Sequence, residues 1–389
     1  MLEVLTATLL GVAAGVITGL IPGIHVNLLA ALILAGGIGA GGAPFLVAIS
    51  ITHSFLSTIP AILLGAPESA TALGVLPGHR YVLQGNGYMA IKLTLVGSYL
   101  GLLISLALIP LWWMIIGLYD HLVSVMGYLL LGVSAYMILR DNKSAWALLV
   151  YLLSGALGWI LLNQAVVEEP LFPLFSGLFG TSTLLYSLTQ TSNVPTQKIL
   201  RDIQLRWSDA TKALLAGNLS GFLTSMLPGL GAAQAAILGM NLTGKIGDHG
   251  FLVMIGTIST VNFSLSLLTW LALEKARNGA VVAITQILTP STQAVATLTL
   301  VALIAASITV PLCLWLARQS IKLVTNIPYT TLSLAVVALI TLLVAAITGV
   351  RGLYVLLVAT AIGLIPAIVR CGRAHAMGCL MLPVAFYFF

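Results

Sequence analysis

Two proline-glycine pairs, Pro22-Gly23 and Pro228-Gly229, are the residues of this chain best suited to hold a ligand inside an apolar environment. Proline removes an amide hydrogen and glycine tolerates positive φ, so each pair stops one half-helix and turns the chain into the next. The half-helix that follows points unpaired amide hydrogens and the positive end of its dipole at the turn, which attracts a carboxylate or a phosphate. Ile24, His25 and Asn27 follow the first pair; Leu230, Gly231 and Gln234 follow the second. Their main-chain amides and the His25, Asn27 and Gln234 side chains complete a candidate anion site, and Arg80 is a cation able to steer or clamp the anion.

A second set would suit a coupling ion. Ser54, Ser57 and Thr58 stand around Pro60, Glu68 follows in Gly65-Ala-Pro-Glu-Ser, and Asn262 and Ser264 occupy the corresponding span of the other half. Polar groups at membrane depth are expensive unless paired or hydrated, and a carboxylate among hydroxyls and carbonyls suits Na+ or H+. No His-Glu-x-x-His or Gly-x-Ser-x-Gly pattern accompanies His25 and His53, so an intramembrane enzyme, a resident metal and an organic cofactor are not expected. Cys313, Cys371 and Cys379 lack paired metal-type spacing and read as packing residues.

The elements that position these residues are duplicated. Leu9, Gly11, Gly15, Thr18, Pro22 and Gly23 recur as Leu215, Gly217, Gly221, Thr224, Pro228 and Gly229, every pair 206 positions apart. Carried further, the same offset sets Glu68 against Glu274. Hydrophobic segments interrupted at matching places in two halves point to a transporter's binding region. Of 389 residues, 59% are hydrophobic and 7% charged, which leaves a membrane protein as the comfortable class. The net charge of +6 sits in short loops between apolar runs, so nucleic acid is not expected as a partner.

Apolar runs long enough to cross a bilayer cover roughly 44–64, 93–118, 122–139, 145–162, 171–188, 251–272, 294–316, 332–350, 353–369 and 376–389, about ten crossings. The stretches 5–40 and 213–242 read as re-entrant helical hairpins broken at the Pro-Gly pairs. The expectation is an all-α polytopic membrane protein with two inverted-topology repeats, 1–188 and 210–389, joined by a polar cytoplasmic linker at 189–209. Thirteen of the sixteen basic residues then face the cytoplasm and both termini face outward, as a multi-pass protein of the plasma membrane.

The pattern Gly-x3-Gly-x6-Pro-Gly, the segment Gly65-Ala-Pro-Glu-Ser-Ala-Thr-Ala72, Gly85-Asn-Gly87 and Pro173-Leu-Phe-Ser-Gly-Leu-Phe-Gly180 together resemble the large membrane subunit of tripartite tricarboxylate transporters, the TctA-like family, in a compact form. The resemblance implies a permease whose substrate region is built from the duplicated hairpins, assisted in bacterial systems by a small membrane subunit and an extracytoplasmic binding protein. The expected function is secondary active transport of a small carboxylate anion by alternating access around a midplane site. A more distant likeness to polyprenyl-phosphate translocases with paired re-entrant hairpins implies the alternative, in which the same turns hold a lipid phosphate. The expected partners are an anionic small molecule or a lipid phosphate, membrane lipid, an accessory binding protein and a second copy of the chain as a homodimer.

Overall fold

In lipid, backbone N–H and C=O groups must be paired within their own segment, and every regular element of the described chain is helical. The computed structural model describes residues 2–21, 41–65, 75–164, 167, 170–189, 195–199, 205–227, 230–244, 246–325 and 328–389. The helices run α1 (Leu2–Leu20), α2 (Gly42–Leu63), α3 (Val75–Leu83), α4 (Gly87–Ala107), α5 (Ile109–Ile116), α6 (Tyr119–Arg140), α7 (Ser144–Asn163) and α8 (Leu171–Leu188). The second half continues with α9 (Trp207–Met226), α10 (Ala232–Thr243), α11 (Gly247–Leu273), α12 (Gly279–Thr285), α13 (Thr292–Thr325), α14 (Tyr329–Val369) and α15 (Gly378–Tyr387). Among the described residues nine helices are long and apolar enough to cross a membrane. The chain is an all-α, multi-pass membrane protein.

Three boundaries differ from the sequence expectation, each for a local reason. The run 93–118 divides at Leu108, because Pro110 lacks the amide hydrogen that would continue the preceding helix and is instead tolerated in the first turn of a new one. The runs 332–350 and 353–369 form the single element α14, broken at Gly349, whose φ of 64° is open to glycine. The last run yields only the ten-residue α15, about 15 Å long and too short to span by itself. The first limb of the amino-terminal stretch, α1, is 19 residues or about 28 Å, the full thickness of a hydrocarbon core. The second Pro-Gly stretch joins α9, 20 residues long, to α10, 12 residues long, and the two pack on one another.

Small residues bring the two repeats' first helices onto their neighbours in the same way. A Cβ added at Gly15 of α1 would lie 2.6 Å from Thr52 Cβ of α2, and one added at Gly221 of α9 would lie 2.7 Å from Val261 Cβ of α11. The halves then interweave: α4 packs on α11, α13 on α2, α15 on α7 and α14 on α8. At the close crossing of α4 with α11 each helix contributes a glycine: Gly97 faces the Val253 carbonyl and Gly256 faces the Thr94 carbonyl. Thr257 Oγ1 donates to Gly97 O at 3.0 Å and Ser98 Oγ to Gly256 O at 3.2 Å, so the crossing is both close and hydrogen-bonded. All three cysteines are free and buried.

Candidate functional site

One helical turn before each Pro-Gly pair stands a threonine, Thr18 in α1 and Thr224 in α9. Each threonine hydroxyl is turned toward its own helix: Thr18 Oγ1 donates to Gly15 O at 3.3 Å and Thr224 Oγ1 to Gly221 O at 2.7 Å. The hydroxyl oxygens are then left to accept. Thr18 Oγ1 pairs with His53 Nδ1 of α2 at 3.2 Å, and Thr224 Oγ1 accepts from Asn262 Nδ2 of α11 at 2.7 Å. The amide of Asn262 is further fixed by Asn278, whose Nδ2 donates to Asn262 Oδ1 at 3.1 Å while its Oδ1 caps α12 by accepting from Ala280 N at 3.0 Å.

These two brackets are equivalent by register. Gly11 and Gly15 meet Ala48 and Thr52; Gly217 and Gly221 meet Thr257 and Val261. The first helices are thus 206 apart, whereas the helices they pack on are 209 apart, because the second repeat carries three more residues between them. His53 and Asn262 are 209 apart and are counterparts. At the ends of α2 and α11, Gly65 at φ 66° and Glu274 at φ 54° are also 209 apart and share left-handed geometry. Glu274 therefore answers to Gly65 in register, and the single offset of 206 set it against the wrong residue of the first half.

The sequence-derived site residues divide accordingly. Pro22, Gly23, Ile24, His25, Asn27, Glu68, Pro228 and Gly229, together with the Gln234 side chain, lie outside the described residues. Leu230 and Gly231 lead into α10, and Gly231 sits at its N-cap with extended geometry (φ −85°, ψ 169°). Among the described residues no side chain caps that end. Ser54, Ser57 and Ser264 each donate to a carbonyl in their own helix, Ile51 O, Ser54 O and Val261 O. Ser264 also meets Ser105 of α4 at 3.2 Å, and Thr58 is buried in α2. Only Asn262 of this second set belongs to a bracket.

Arg80 is elsewhere. It is exposed on α3 and pairs with Asp248 Oδ2 at 3.0 Å, at the start of α11. Beside it, Tyr81 Oη meets His249 Nδ1 at 2.9 Å; burial and then the Asp248 charge push the Tyr81 hydroxyl up to about 12, against the opposing pull of Arg80. Another polar knot joins the loop after α6 to the loop before α15. Asp141 Oδ2 accepts from Gly372 N at 2.8 Å and from His375 Nε2 at 2.9 Å, and its Oδ1 accepts from Lys143 N at 2.8 Å. Burial works to raise the Asp141 carboxyl, but these donors outweigh it and hold it below the usual carboxylate range.

His53 and Asn278 are the residues that sequence reasoning passed over as partners. The signal was present: Ile49-Ser50, Leu56 and Ser57 recur as Ile258-Ser259, Leu265 and Ser266, each 209 apart. Among the described residues no three His, Cys, Asp or Glu side chains gather where they could hold a metal ion.

Comparison with known proteins identifies relatives across nearly the whole chain. The profile of the tripartite tricarboxylate transporter TctA family matches residues 5–378. An uncharacterized protein of Methanocaldococcus jannaschii is 31% identical over 397 residues, covering 98% of each chain. No solved structure matches.

Proposed function

This chain belongs to the tripartite tricarboxylate transporter TctA family, and from that premise we propose that it carries a small carboxylate anion across the membrane, binding it between the two Pro-Gly turns. The observation that supports this reading is the pair of brackets, Thr18–His53 and Thr224–Asn262, each one turn before a Pro-Gly pair and equivalent by register. In each half the helix leading into a Pro-Gly pair is steadied near its end by a buried polar contact, and such paired interruptions suit a transporter's binding region. The uncapped amino end of α10 supplies main-chain donors from one half, and the stretch after Gly23 supplies the matching set from the other.

The interwoven packing suits alternating access. α4 on α11 and α13 on α2 tie each repeat to the other, so rocking about these crossings exposes a central site to one face and then the other. The brackets keep the helix ends at constant spacing while the surrounding helices move. On this reading both termini lie outside the plasma membrane, and the accessory proteins of the family serve delivery rather than the passage itself.

The experiment is counterflow of labelled citrate in proteoliposomes of the purified chain, repeated with Pro22-Gly23 and Pro228-Gly229 each replaced by Ala-Ala. The wild type is expected to exchange citrate saturably, and each replacement to lower exchange at least tenfold in protein that remains monodisperse. Full exchange by both variants would remove the site from the turns. Movement of a prenyl phosphate by wild type without citrate exchange would replace the carboxylate reading with the lipid-phosphate one.

A further inference from the structure

The loop that leads into α15 carries a cation without a counter-charge. Arg373 opens a short helical turn, Arg373–Met377, which packs on α7, α14 and α10, and the side chain is half-buried there. Its Nη1 donates to Thr183 Oγ1 of α8, whose own proton goes to Phe179 O. A guanidinium has five N–H donors, and among the described residues this is the one hydrogen bond it makes. No carboxylate among those residues lies within ion-pair distance of it: Asp141 is taken by Gly372 N, Lys143 N and His375, and Asp248 by Arg80. Burial pulls the Arg373 guanidinium below its ordinary range; Tyr186 of α8 opposes this, and Arg80, a second cation, adds to it.

A half-buried charge in such surroundings is costly until an anion completes it. Thr183 lies five residues before the end of α8, about 7.5 Å along the helix axis. The guanidinium therefore reaches from the loop into the layer where hydrocarbon gives way to headgroups. Basic pockets between membrane helices at that level suit phosphate headgroups, and the planar fork of arginine matches two phosphate oxygens at once. We propose that Arg373, with Tyr186 and Arg80 at its rim, forms a binding site for a phosphate anion, an anionic lipid being the source that its depth favours. The free guanidinium N–H groups take two phosphate oxygens, and Arg80 adds positive potential while remaining paired with Asp248. A headgroup held there ties the loop before α15 to the end of α8. The site does not depend on what the chain transports.

The test is thermal unfolding of the full chain in neutral detergent micelles with phosphatidylcholine, phosphatidylglycerol or inorganic phosphate added. Arg373→Gln removes the charge, and Arg351→Gln, at an exposed cation elsewhere, controls for the change in net charge. Relative to phosphatidylcholine, saturating phosphatidylglycerol should raise the melting temperature of wild type and Arg351→Gln by at least about 3 °C, and that of Arg373→Gln by less than about 1 °C. The same contrast between variants with inorganic phosphate would support the site with free phosphate as its source. Equal rises for Arg373→Gln and wild type, with both additives, overturn the proposal. Should Arg373→Gln fail to fold, native mass spectrometry of wild type released from an equimolar mixture of the two lipids should show one phosphatidylglycerol per chain, retained at least about fivefold over phosphatidylcholine. Equal retention of the two lipids overturns the proposal.

Discussion

Replacing Gly256 with alanine tests the crossing that ties the two halves together. The new Cβ would lie 2.0 Å from the Thr94 carbonyl oxygen and 3.0 Å from Ser98 N, both backbone atoms that cannot rotate away. A carbon normally meets such an oxygen at about 3.3 Å, so α4 and α11 must part by about 1 Å or more. Overpacking of this kind costs about 1–3 kcal/mol. The same shift stretches the Ser98–Gly256 and Thr257–Gly97 hydrogen bonds, each contributing roughly 0.5–1.5 kcal/mol. Alanine returns about 0.5–1 kcal/mol of helix preference, leaving a net loss of roughly 1–5 kcal/mol. Thermal unfolding of the purified protein in detergent should show Gly256→Ala melting at least about 2 °C below wild type. Gly132→Ala is the control, since a Cβ there meets nothing within 4 Å, and it should melt with wild type or slightly above. If Gly256→Ala melts with Gly132→Ala, the close crossing is not there.

Two further perturbations address the charged groups. Asp141 has its carboxyl lowered in the folded protein, so its contribution to stability is present above the unfolded value near about pH 3.9 and is lost as pH falls through the folded value. Asp141→Asn should therefore melt below wild type at pH 7, and the gap should narrow as pH is taken below about 4; a gap independent of pH would contradict the assignment. Arg80→Ala removes an exposed ion pair with Asp248 and should cost less than about 1 kcal/mol, an effect that salt screens further. Its citrate counterflow is expected to stay within threefold of wild type, and a loss beyond tenfold with an unchanged melting temperature would return Arg80 to the substrate path.

Much of the architecture was legible in the sequence because lipid allows so few solutions. Apolar runs of spanning length had to be helices, and the apolar run at 44–64 matches Gly42–Leu63 within two residues at either end. The misjudged boundaries fall at single residues, Pro110 and Gly349, whose effect on the backbone outweighs the apolar run around them. The duplicated Gly and Pro pattern announced the repeat, but one offset does not describe it. The first helices keep 206 while their packing partners keep 209, and a rigid offset hides the equivalence of His53 with Asn262. Hydrogen-bond partners such as Thr18 with His53, 35 positions apart, follow from how α1 lies on α2, which composition and spacing do not express.

The central claim, that the carboxylate sits where the two broken helices end, is tested by substrate protection. Cysteine is placed at Ile21 or at Leu227, the residues just before each Pro-Gly pair, in a chain whose Cys313, Cys371 and Cys379 are replaced by alanine. Alkylation by a small thiol reagent is then timed with and without citrate in proteoliposomes. The account predicts that citrate slows labelling at both positions, one from each half, with the same concentration dependence. Labelling at both positions that is indifferent to saturating citrate, in protein that still exchanges citrate, would contradict it.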